Sequence, residues 1–309
     1  MREISDFGLR IADLGPPNPQ SAVRNPKSLA GLLVIDKPAG MTSHDVVQQI
    51  RKTLSTSRVG HLGTLDPMAT GVLPLCTGKA TRLAQFFPTS PKEYVGRIRF
   101  GFATATYDRE GEPLGPPQRF SSTESQVAEA MRAMTGPILQ TPPPYSAKKI
   151  GGIRSHQLAR KGETAAIAPV EVGIEAFELT AFEPPSIAFR VVCSGGTYVR
   201  SLAHDLGSRL GCGAHLESLR RLRSGTFGID QAVGPERVTA ANVIPIESLL
   251  TELPRIVAPP AEEERVRNGN PMRAGMGSGL ARIFNMNGEL LAIAVLERGW
   301  AHPKVVLTS

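Results

Sequence analysis

Cysteines, aromatic residues and long apolar runs are all scarce in this chain of 309 residues. The three cysteines, Cys76, Cys193 and Cys212, contain no CxxC pair, which argues against a disulfide framework and against a cysteine-based zinc site. The six histidines include no HxxxH or HxH pair, so no metal is expected. No apolar run is long enough for a signal peptide or a membrane span, and we therefore expect a cytoplasmic protein.

Acidic residues are outnumbered by basic ones, 28 against 35, and the formal net charge is +7. This surplus favours a polyanionic partner such as nucleic acid or a membrane surface. Hydrophobic residues make up 41% of the chain, enough for more than one core, because single cores stop growing near ~250–300 residues. We expect one large domain and one small domain.

Apolar periodicity begins only at Gly31. Residues 1–30 combine charges with turn formers and predict a poorly ordered N-terminal extension. From Gly31 the run GLLVID predicts a short strand, and the HDVVQQIRKTL segment predicts a helix capped by Thr42 or Ser43. Folding is therefore expected to start at Gly31.

Several β-rich runs follow without regular helical crossovers. GVLPLCTG, KEYVGRIRFGFATAT, VEVGIEAFELT and IAFRVVCS each predict strands. KATRLAQFF predicts a helix, Thr123 and Gln126 predict a capping box for a helix over 123–134, and GTYVRSLAHDLGSRLG predicts a helix with a leucine at every fourth position. Together these elements predict an α+β fold with a mixed, largely antiparallel sheet.

The chain changes character near Ile244. A joint that contains proline and glutamate, TELPRIVAPPAEEE, leads to short apolar runs such as GLARIF and ELLAIAVLE. We therefore predict a larger domain over 31–248 and a small β-rich domain over 249–309.

One carboxylate stands alone in a loop rich in glycine and proline. The segment RVGHLGTLDPMATGVLPLCTGKATR, residues 58–82, surrounds Asp66, and Pro67 restricts the backbone directly before it. A phosphate-binding P-loop would need glycine in place of Leu73 and serine or threonine in place of Ala80, which excludes that type of ATPase. Asp66 is then either a turn former, the usual role of Asp-Pro, or a nucleophile in a rigid loop.

A second segment concentrates positive charge around two adjacent glycines. It reads AKKIGGIRSHQLARKG and carries Lys148, Lys149, Arg154, Arg160 and Lys161. Such a segment is typical of a solvated basic helix or of a flexible flap that closes on phosphates. Arg220 and Arg221 are further candidates for phosphate contacts.

Five motifs, in this order along the chain, resemble those of the TruB family of tRNA pseudouridine synthases. They are DKPAGMTS, GHLGTLDPMATGVLPLCTGKATR, PPPYSAKKIGGIRSHQLARKG, CSGGTYVRSLAHDLG and GCGAHLESLRRLRSG, and the match covers residues 31–226. The resemblance implies a pseudouridine synthase catalytic fold over 31–248, with a thumb loop at about 145–165, and a PUA-like RNA-binding domain over 249–309. The implied enzyme is an isomerase that converts the T-loop uridine at position 55 of tRNA to pseudouridine without a cofactor.

The resemblance also implies roles for individual residues. Asp66 matches the catalytic aspartate of the GTLDP motif, Arg200 would pair with it, and Tyr94 would stack on the target base. The full set of implied substrate-binding residues is His61, Tyr94, Tyr198, Leu219, Arg200 and Lys37.

The reaction breaks the uracil–ribose bond and joins uracil C5 to the ribose, so it needs a nucleophile or base but no oxidant. Asp66 could attack ribose C1′, add to the uracil ring, or remove a ribose proton. Two other functions remain open: a noncatalytic RNA-binding or tRNA-folding protein, and a guide-RNA-dependent synthase. The basic flap favours a stand-alone enzyme over a guide-dependent one. The expected partner is the T-arm of tRNA, bound by a monomer that needs neither a membrane nor a protein partner.

Overall fold

The computed structural model describes residues 29–87, 91–145, 149–150, 153–154 and 168–307, with only the backbone described for 149–150 and 153–154. The predicted N-terminal extension, apart from its last two residues, and three flap residues, Lys148, Arg160 and Lys161, lie outside this part of the chain. Within it, no helix combines the length and apolar character that crossing a bilayer requires.

The described residues form seventeen strands. They are β1 Gly31–Lys37, β2 Val59–His61, β3 Thr70–Thr77, β4 Lys92–Phe100, β5 Gly136–Gln140, β6 Lys149–Ile150, β7 Ile153–Arg154, β8 Val170–Glu183, β9 Ser186–Cys193, β10 Ala214–Ser224, β11 Phe227–Gly228, β12 Ile244–Pro245, β13 Arg255–Val257, β14 Met272–Arg273, β15 Gly279–Phe284, β16 Leu290–Glu297 and β17 Trp300–Val306.

Four α-helices and five 3₁₀ helices lie between these strands in the described part of the chain. The α-helices are α1 Ser43–Thr53, α2 Glu124–Arg132, α3 Val199–Arg209 and α4 Pro260–Arg267. The 3₁₀ helices are Gly78–Phe86, Ile229–Gln231, Pro235–Arg237, Ala240–Asn242 and Ile246–Ser248.

The main sheet contains ten strands in the order β12-β1-β3-β10-β4-β9-β8-β5, with β2 paired to β3 and β11 paired to β10. All neighbours on this path are antiparallel except β3 and β10, which are parallel. This confirms the predicted α+β fold with a largely antiparallel sheet. This parallel pair places β3, the strand that follows Asp66, beside β10, which lies far along the chain and carries Arg220 and Arg221.

Helix caps are placed as the sequence predicts. Thr42 caps α1 and forms a capping box with Asp45, while Thr123 and Gln126 form the predicted box at the start of α2. Each box satisfies backbone N–H groups that a helix start leaves without partners. Local hydrogen bonding therefore fixes where both helices begin.

Two local predictions need correction. KATRLAQFF lies in the 3₁₀ helix Gly78–Phe86, not an α-helix, and its buried residues Ala80 and Leu83 are three apart, which matches three residues per turn. The β run that begins at Lys92 ends at Phe100, because Gly101 turns the chain with a φ of +111°. Residues 101–106, the predicted continuation of the strand, instead belong to a turn region that extends to residue 111.

The main core lies between the large sheet and the helices α1, α2 and α3. Its fully buried members include Ile98, Leu202 and Leu206, and the two leucines confirm the apolar stripe predicted for α3. Leu210, the third leucine of the predicted stripe, is the C-cap residue of α3 and is only partly buried. This packing places α3 under the strands that carry the site residues.

A second sheet, in the order β13-β15-β16-β17-β14, closes the chain. Two successive residues of β15 are buried in different apolar clusters. Ile283 belongs to the core of this second sheet, and Phe284 belongs to a cluster that also contains Leu32 of the main sheet. The predicted β-rich character of 249–309 is confirmed, while the domain division at residue 249 remains a proposal.

Gly40 and Gly71 both have a positive φ but differ in the space available for a side chain. Ala at position 71 would place a Cβ against the carbonyl oxygen of Arg221 and 2.8 Å from its backbone nitrogen, whereas the space around Gly40 is open. We predict that Gly40→Ala lowers the free energy of unfolding by about 1–2 kcal/mol, and Gly71→Ala by about 3–5 kcal/mol. Urea unfolding followed by circular dichroism would measure both, and equal losses would contradict the prediction.

Candidate active site

The Asp66 loop connects β2 to β3 and is held from one side by the segment that links β1 to α1. Lys37, which is fully buried, donates from Nζ to the carbonyl oxygen of Pro67 at 3.1 Å. The Ser43 hydroxyl accepts a hydrogen bond from the backbone N–H of Leu65 at 2.9 Å and lies 3.1 Å from its carbonyl oxygen. These bonds fix the backbone on both sides of Asp66.

Arg221 holds the same loop from the opposite side. Its guanidinium donates to the carbonyl oxygens of Gly63 at 3.1 Å, Thr64 at 3.3 Å and Val72 at 2.6 Å. The side chain is 0% exposed, so the predicted phosphate contact at Arg221 is wrong. Its donors are committed to backbone carbonyls, and its role here is to support the loop.

Arg220, the neighbouring residue on β10, points the other way. Its guanidinium forms a bidentate pair with Asp36, with nitrogen–oxygen distances of 3.0 and 2.8 Å, and its side chain is 39% exposed. Side chains alternate between the two faces of a strand, which explains why only one of these adjacent arginines is buried. Arg220 therefore remains the accessible candidate for a phosphate contact.

The centre of the site is the guanidinium of Arg200 on α3. It contacts both carboxylate oxygens of Asp66: Nη2 donates a hydrogen bond to Oδ1 at 3.0 Å, and Nε lies at an ion-pair distance of 2.9 Å from Oδ2. Nη1 lies 3.3 Å from Asp108 Oδ2 and donates to the carbonyl oxygen of Thr106 at 3.0 Å. Nη2 also donates to the carbonyl oxygen of Tyr145 at 3.2 Å, so five contacts engage this one group.

The two carboxylates that share Arg200 differ in exposure. The side chain of Asp108 is 5% exposed, that of Arg200 is 7% exposed, and that of Asp66 is 35% exposed. A buried guanidinium requires a compensating charge, and Asp108 supplies one from the protein interior. Asp66 is thus the carboxylate of this group that a molecule from solution can reach.

Tyr94 and Leu219 lie on the neighbouring strands β4 and β10. In the register of these strands Leu219 faces Gly96, and Tyr94 faces Arg221. Burial raises the pKa of Tyr94, which is 5% exposed and within hydrogen-bonding reach of Arg221. A base that stacks on this ring must therefore displace a group that covers it.

His61 and Tyr198 lie at the ends of their elements. His61 is exposed at the end of β2, accepts a hydrogen bond from the Gly63 N–H at 3.4 Å, and has a pKa lowered by desolvation and by nearby Arg221. Tyr198 directly precedes α3, where its backbone N–H and carbonyl bind the buried side-chain amide of Gln140 at 2.8 and 3.1 Å. Gln140 therefore holds the residue that precedes α3, two residues before Arg200.

Lys37, Arg200 and Arg221 all contact the loop that carries Asp66. Tyr94 lies within hydrogen-bonding reach of Arg221. Sequence reasoning missed Asp108, which lies in the YDREGEP segment. The alternation rule for strands could have shown that Arg220 and Arg221 point to opposite faces, but not which of the two is buried.

The predicted basic flap is described only in part. Lys149 and Arg154 face each other in the hairpin of β6 and β7. In the ranges that the structure describes, no group of three or more histidine, cysteine or acidic side chains is arranged to hold a metal ion.

The buried Lys37 predicts a specific pH dependence of stability. Burial lowers its pKa from 10.5 to about 8, against the opposing attraction of Asp66. Between these values the unfolded chain binds more protons, so the stability contributed by Lys37 increases from pH ~8 to pH ~10.5 and is lost as pH falls through ~8. The free energy of unfolding of wild type relative to Lys37→Met should therefore rise over this window.

Chemical denaturation at several pH values would measure that difference. Lys52→Met serves as the matched control, because Lys52 is exposed on the neighbouring helix α1. A Lys37→Met difference that does not change with pH would contradict the prediction.

Comparison with known proteins identifies the family. Residues 51–199 match the model for the TruB family pseudouridylate synthase N-terminal domain, and residues 200–263 match the tRNA pseudouridylate synthase B C-terminal domain. A tRNA pseudouridine synthase B of Solibacter usitatus is 44% identical, covering 90% of this chain and 99% of the relative. The corresponding protein of Thermobifida fusca is 42% identical, covering 89% and 98%.

Solved structures agree with this fold. A chain in the crystal structure of a Cbf5-Nop10-Gar1 complex aligns with a TM-score of 0.66 and 26% identity, covering 94% of this chain and 92% of that chain. A chain of the archaeal box H/ACA sRNP Nop10-Cbf5 complex gives a TM-score of 0.65 and 25% identity, covering 94% of both chains. On the strength of its family models and its relatives, this chain belongs to the TruB family of pseudouridylate synthases.

Proposed function

We propose that this protein is a tRNA pseudouridine synthase that isomerises the T-loop uridine at position 55, with Asp66 as its catalytic carboxylate and without a cofactor. One observation carries the proposal: an accessible carboxylate in a rigid loop is gripped at both oxygens by a buried arginine. The names of the relatives, tRNA pseudouridine synthase B, support the same activity.

The geometry suits the first step of the reaction. Breaking the uracil–ribose bond needs a nucleophile or base at a fixed position, and the hydrogen bond and ion pair to Arg200 provide both orientation and charge. From this position Asp66 could attack ribose C1′, add to the uracil ring, or remove a ribose proton. All three begin at the same carboxylate, and trapping an Asp66-linked sugar or a glycal would distinguish them.

The target base must leave its stack before Asp66 can reach it, at a cost of a few kcal/mol. Stacking on an aromatic side chain contributes ~1–3 kcal/mol per base, so Tyr94 is proposed as the partner of the uracil. Leu219 would help to exclude water from a reactive intermediate. His61, Tyr198 and Lys37 are proposed as the remaining substrate-binding residues, with Arg200 as the partner of Asp66.

Positive charge around the site suits a phosphate backbone. Arg220, which is partly exposed and paired with Asp36, is one candidate, and the flap at 145–165 is proposed to add Lys148, Lys149, Arg154, Arg160 and Lys161. The PUA-like domain over 249–309 is proposed as a second RNA-binding surface. The proposed partner is the T-arm of tRNA, bound by a cytoplasmic monomer that needs no other protein.

The two alternative functions are disfavoured by particular observations. A noncatalytic RNA-binding protein would have no need for the paired and partly exposed Asp66. Against a guide-RNA-dependent synthase, a relative named tRNA pseudouridine synthase B is 44% identical, whereas the chain of the Cbf5-Nop10-Gar1 complex is 26% identical. A stand-alone enzyme is therefore favoured.

Replacing Asp66 tests the catalytic assignment. Forming the C5 glycosidic bond expels the hydrogen on that carbon, so tritium at uracil C5 should be released to water by the wild type. We expect Asp66→Asn to slow this release by more than ~10³-fold, because the shape remains while the carboxylate is lost. RNA binding, measured by filter retention, should be preserved.

The matched control is Asp230→Asn, because Asp230 is an exposed aspartate in the 3₁₀ helix Ile229–Gln231, outside the site. It should release tritium at the wild-type rate. Undiminished release by Asp66→Asn would remove Asp66 from the mechanism, and absence of release by the wild type would favour the noncatalytic alternative.

A naked T-arm tests whether the enzyme acts alone. An isolated T-arm stem-loop should be converted at uridine 55 with no guide RNA or second protein, since recognition of RNA depends mainly on shape and on exposed loop bases. Conversion at subsaturating RNA should fall as salt rises, because phosphate contacts release counterions. A stem-loop with cytidine at position 55 is the control, and a requirement for added guide RNA would favour the guide-dependent alternative.

A further inference from the structure

Tyr107 connects the two groups that hold Arg200 from the protein interior. Its φ is +63°, in the left-handed region that side-chain-bearing residues rarely adopt. The residue before it, Thr106, offers its carbonyl oxygen to Arg200 at 3.0 Å, and the residue after it, Asp108, offers its carboxylate at 3.3 Å. The left-handed turn at Tyr107 lets both neighbours reach one guanidinium.

This conformation is unfavourable for an aromatic residue, so surrounding contacts must stabilise it. The Tyr107 backbone N–H donates to Thr104 at 3.1 Å, and its carbonyl accepts from Leu216 on β10 at 3.0 Å. The Thr104 hydroxyl in turn donates to the carbonyl oxygen of Asp108. The backbone of the turn is thus closed within itself through Thr104 and tied to the sheet through Leu216.

The Tyr107 side chain supplies a further contact, a stack on His204. The two ring centroids are 3.8 Å apart and the ring planes differ by 10°. His204 follows Arg200 by four residues on α3, which places both side chains on the same face of the helix. The stack therefore lies one helical turn from the guanidinium that the Tyr107 turn surrounds.

The environment of His204 favours packing over hydrogen bonding. Its Nδ1 is buried and makes no hydrogen bond to any residue that the structure describes. Desolvation lowers the pKa of His204, with Asp205 opposing the shift, which favours the neutral ring. A neutral imidazole with an unused nitrogen acts here mainly as a flat surface for the tyrosine.

We propose that the Tyr107–His204 stack is a positioning element for the reaction, which acts by fixing the turn that orients Arg200 on Asp66. The inference rests on the proposed function and adds two positioning residues to it. The connection runs from His204 to Tyr107, then through Thr106 and Asp108 to Arg200, and from there to the catalytic carboxylate. Neither ring needs to touch the RNA for the stack to affect the rate.

Three variants separate this role from general stability. His204→Ala removes the stacking surface, His204→Phe keeps a flat ring without the nitrogens, and Tyr107→Gly removes the ring while permitting the left-handed backbone. Each is assayed by single-turnover pseudouridine formation on an unmodified T-arm stem-loop, with the dissociation constant for the same RNA measured separately. Thermal unfolding and circular dichroism verify that each variant is folded.

We expect His204→Ala and Tyr107→Gly to lower the single-turnover rate about tenfold with the dissociation constant unchanged, and His204→Phe to stay within about twofold of wild type. In an Asp108→Asn background, where the grip on Arg200 is already weakened, His204→Ala should have less than about a twofold further effect. This dependence on Asp108 would not follow from a merely structural role.

Several results would overturn the inference. They are an unchanged rate in folded His204→Ala and Tyr107→Gly, a weaker dissociation constant as the main effect, a loss in His204→Phe equal to that in His204→Ala, or full additivity with Asp108→Asn. A weaker dissociation constant would identify Tyr107 as an RNA contact instead. Wild type that forms no pseudouridine would overturn the proposed function itself, whereas active wild type with unaffected variants would overturn only this inference.

Discussion

The guanidinium of Arg200 is the group on which the geometry of the site depends. It joins four separate parts of the chain: α3, the loop of Asp66, the turn of Asp108, and Tyr145 at the start of the flap segment. The three segments other than α3 are loops and turns, which without such a shared partner would lie independently on the surface. A charge that needs several partners when buried thus brings distant segments to one point.

Two more cations complete this arrangement by binding backbone instead of carboxylates. Lys37 and Arg221 are both fully buried and donate to carbonyl oxygens that flank Asp66, from opposite sides of its loop. Their charges therefore act on the loop without neutralising Asp66 by direct pairing. The result is a rigid carboxylate in a positively charged surrounding, which suits a negatively charged substrate.

Local rules predicted much of the fold. The capping box of Thr123 with Gln126 and the strand formed by the GLLVID run depend on neighbours in sequence, and both are found. Motif resemblance, not local pattern, supplied the pairing of Asp66 with Arg200. Asp108 and the burial of Arg221 could not be predicted in this way, because they depend on the parallel register of β3 with β10 and on contacts between residues far apart in the chain.

β1 of the main sheet and the C-terminal sheet share one apolar core. Leu62 and Val72, which flank the Asp66 loop, pack in the same apolar cluster as Phe284 and Ile293 of the C-terminal sheet. Dense packing resists deformation, so the distance between that sheet and the carboxylate is set by the protein. An RNA that contacted both the C-terminal sheet and Asp66 would therefore have to match this distance with its own tertiary shape.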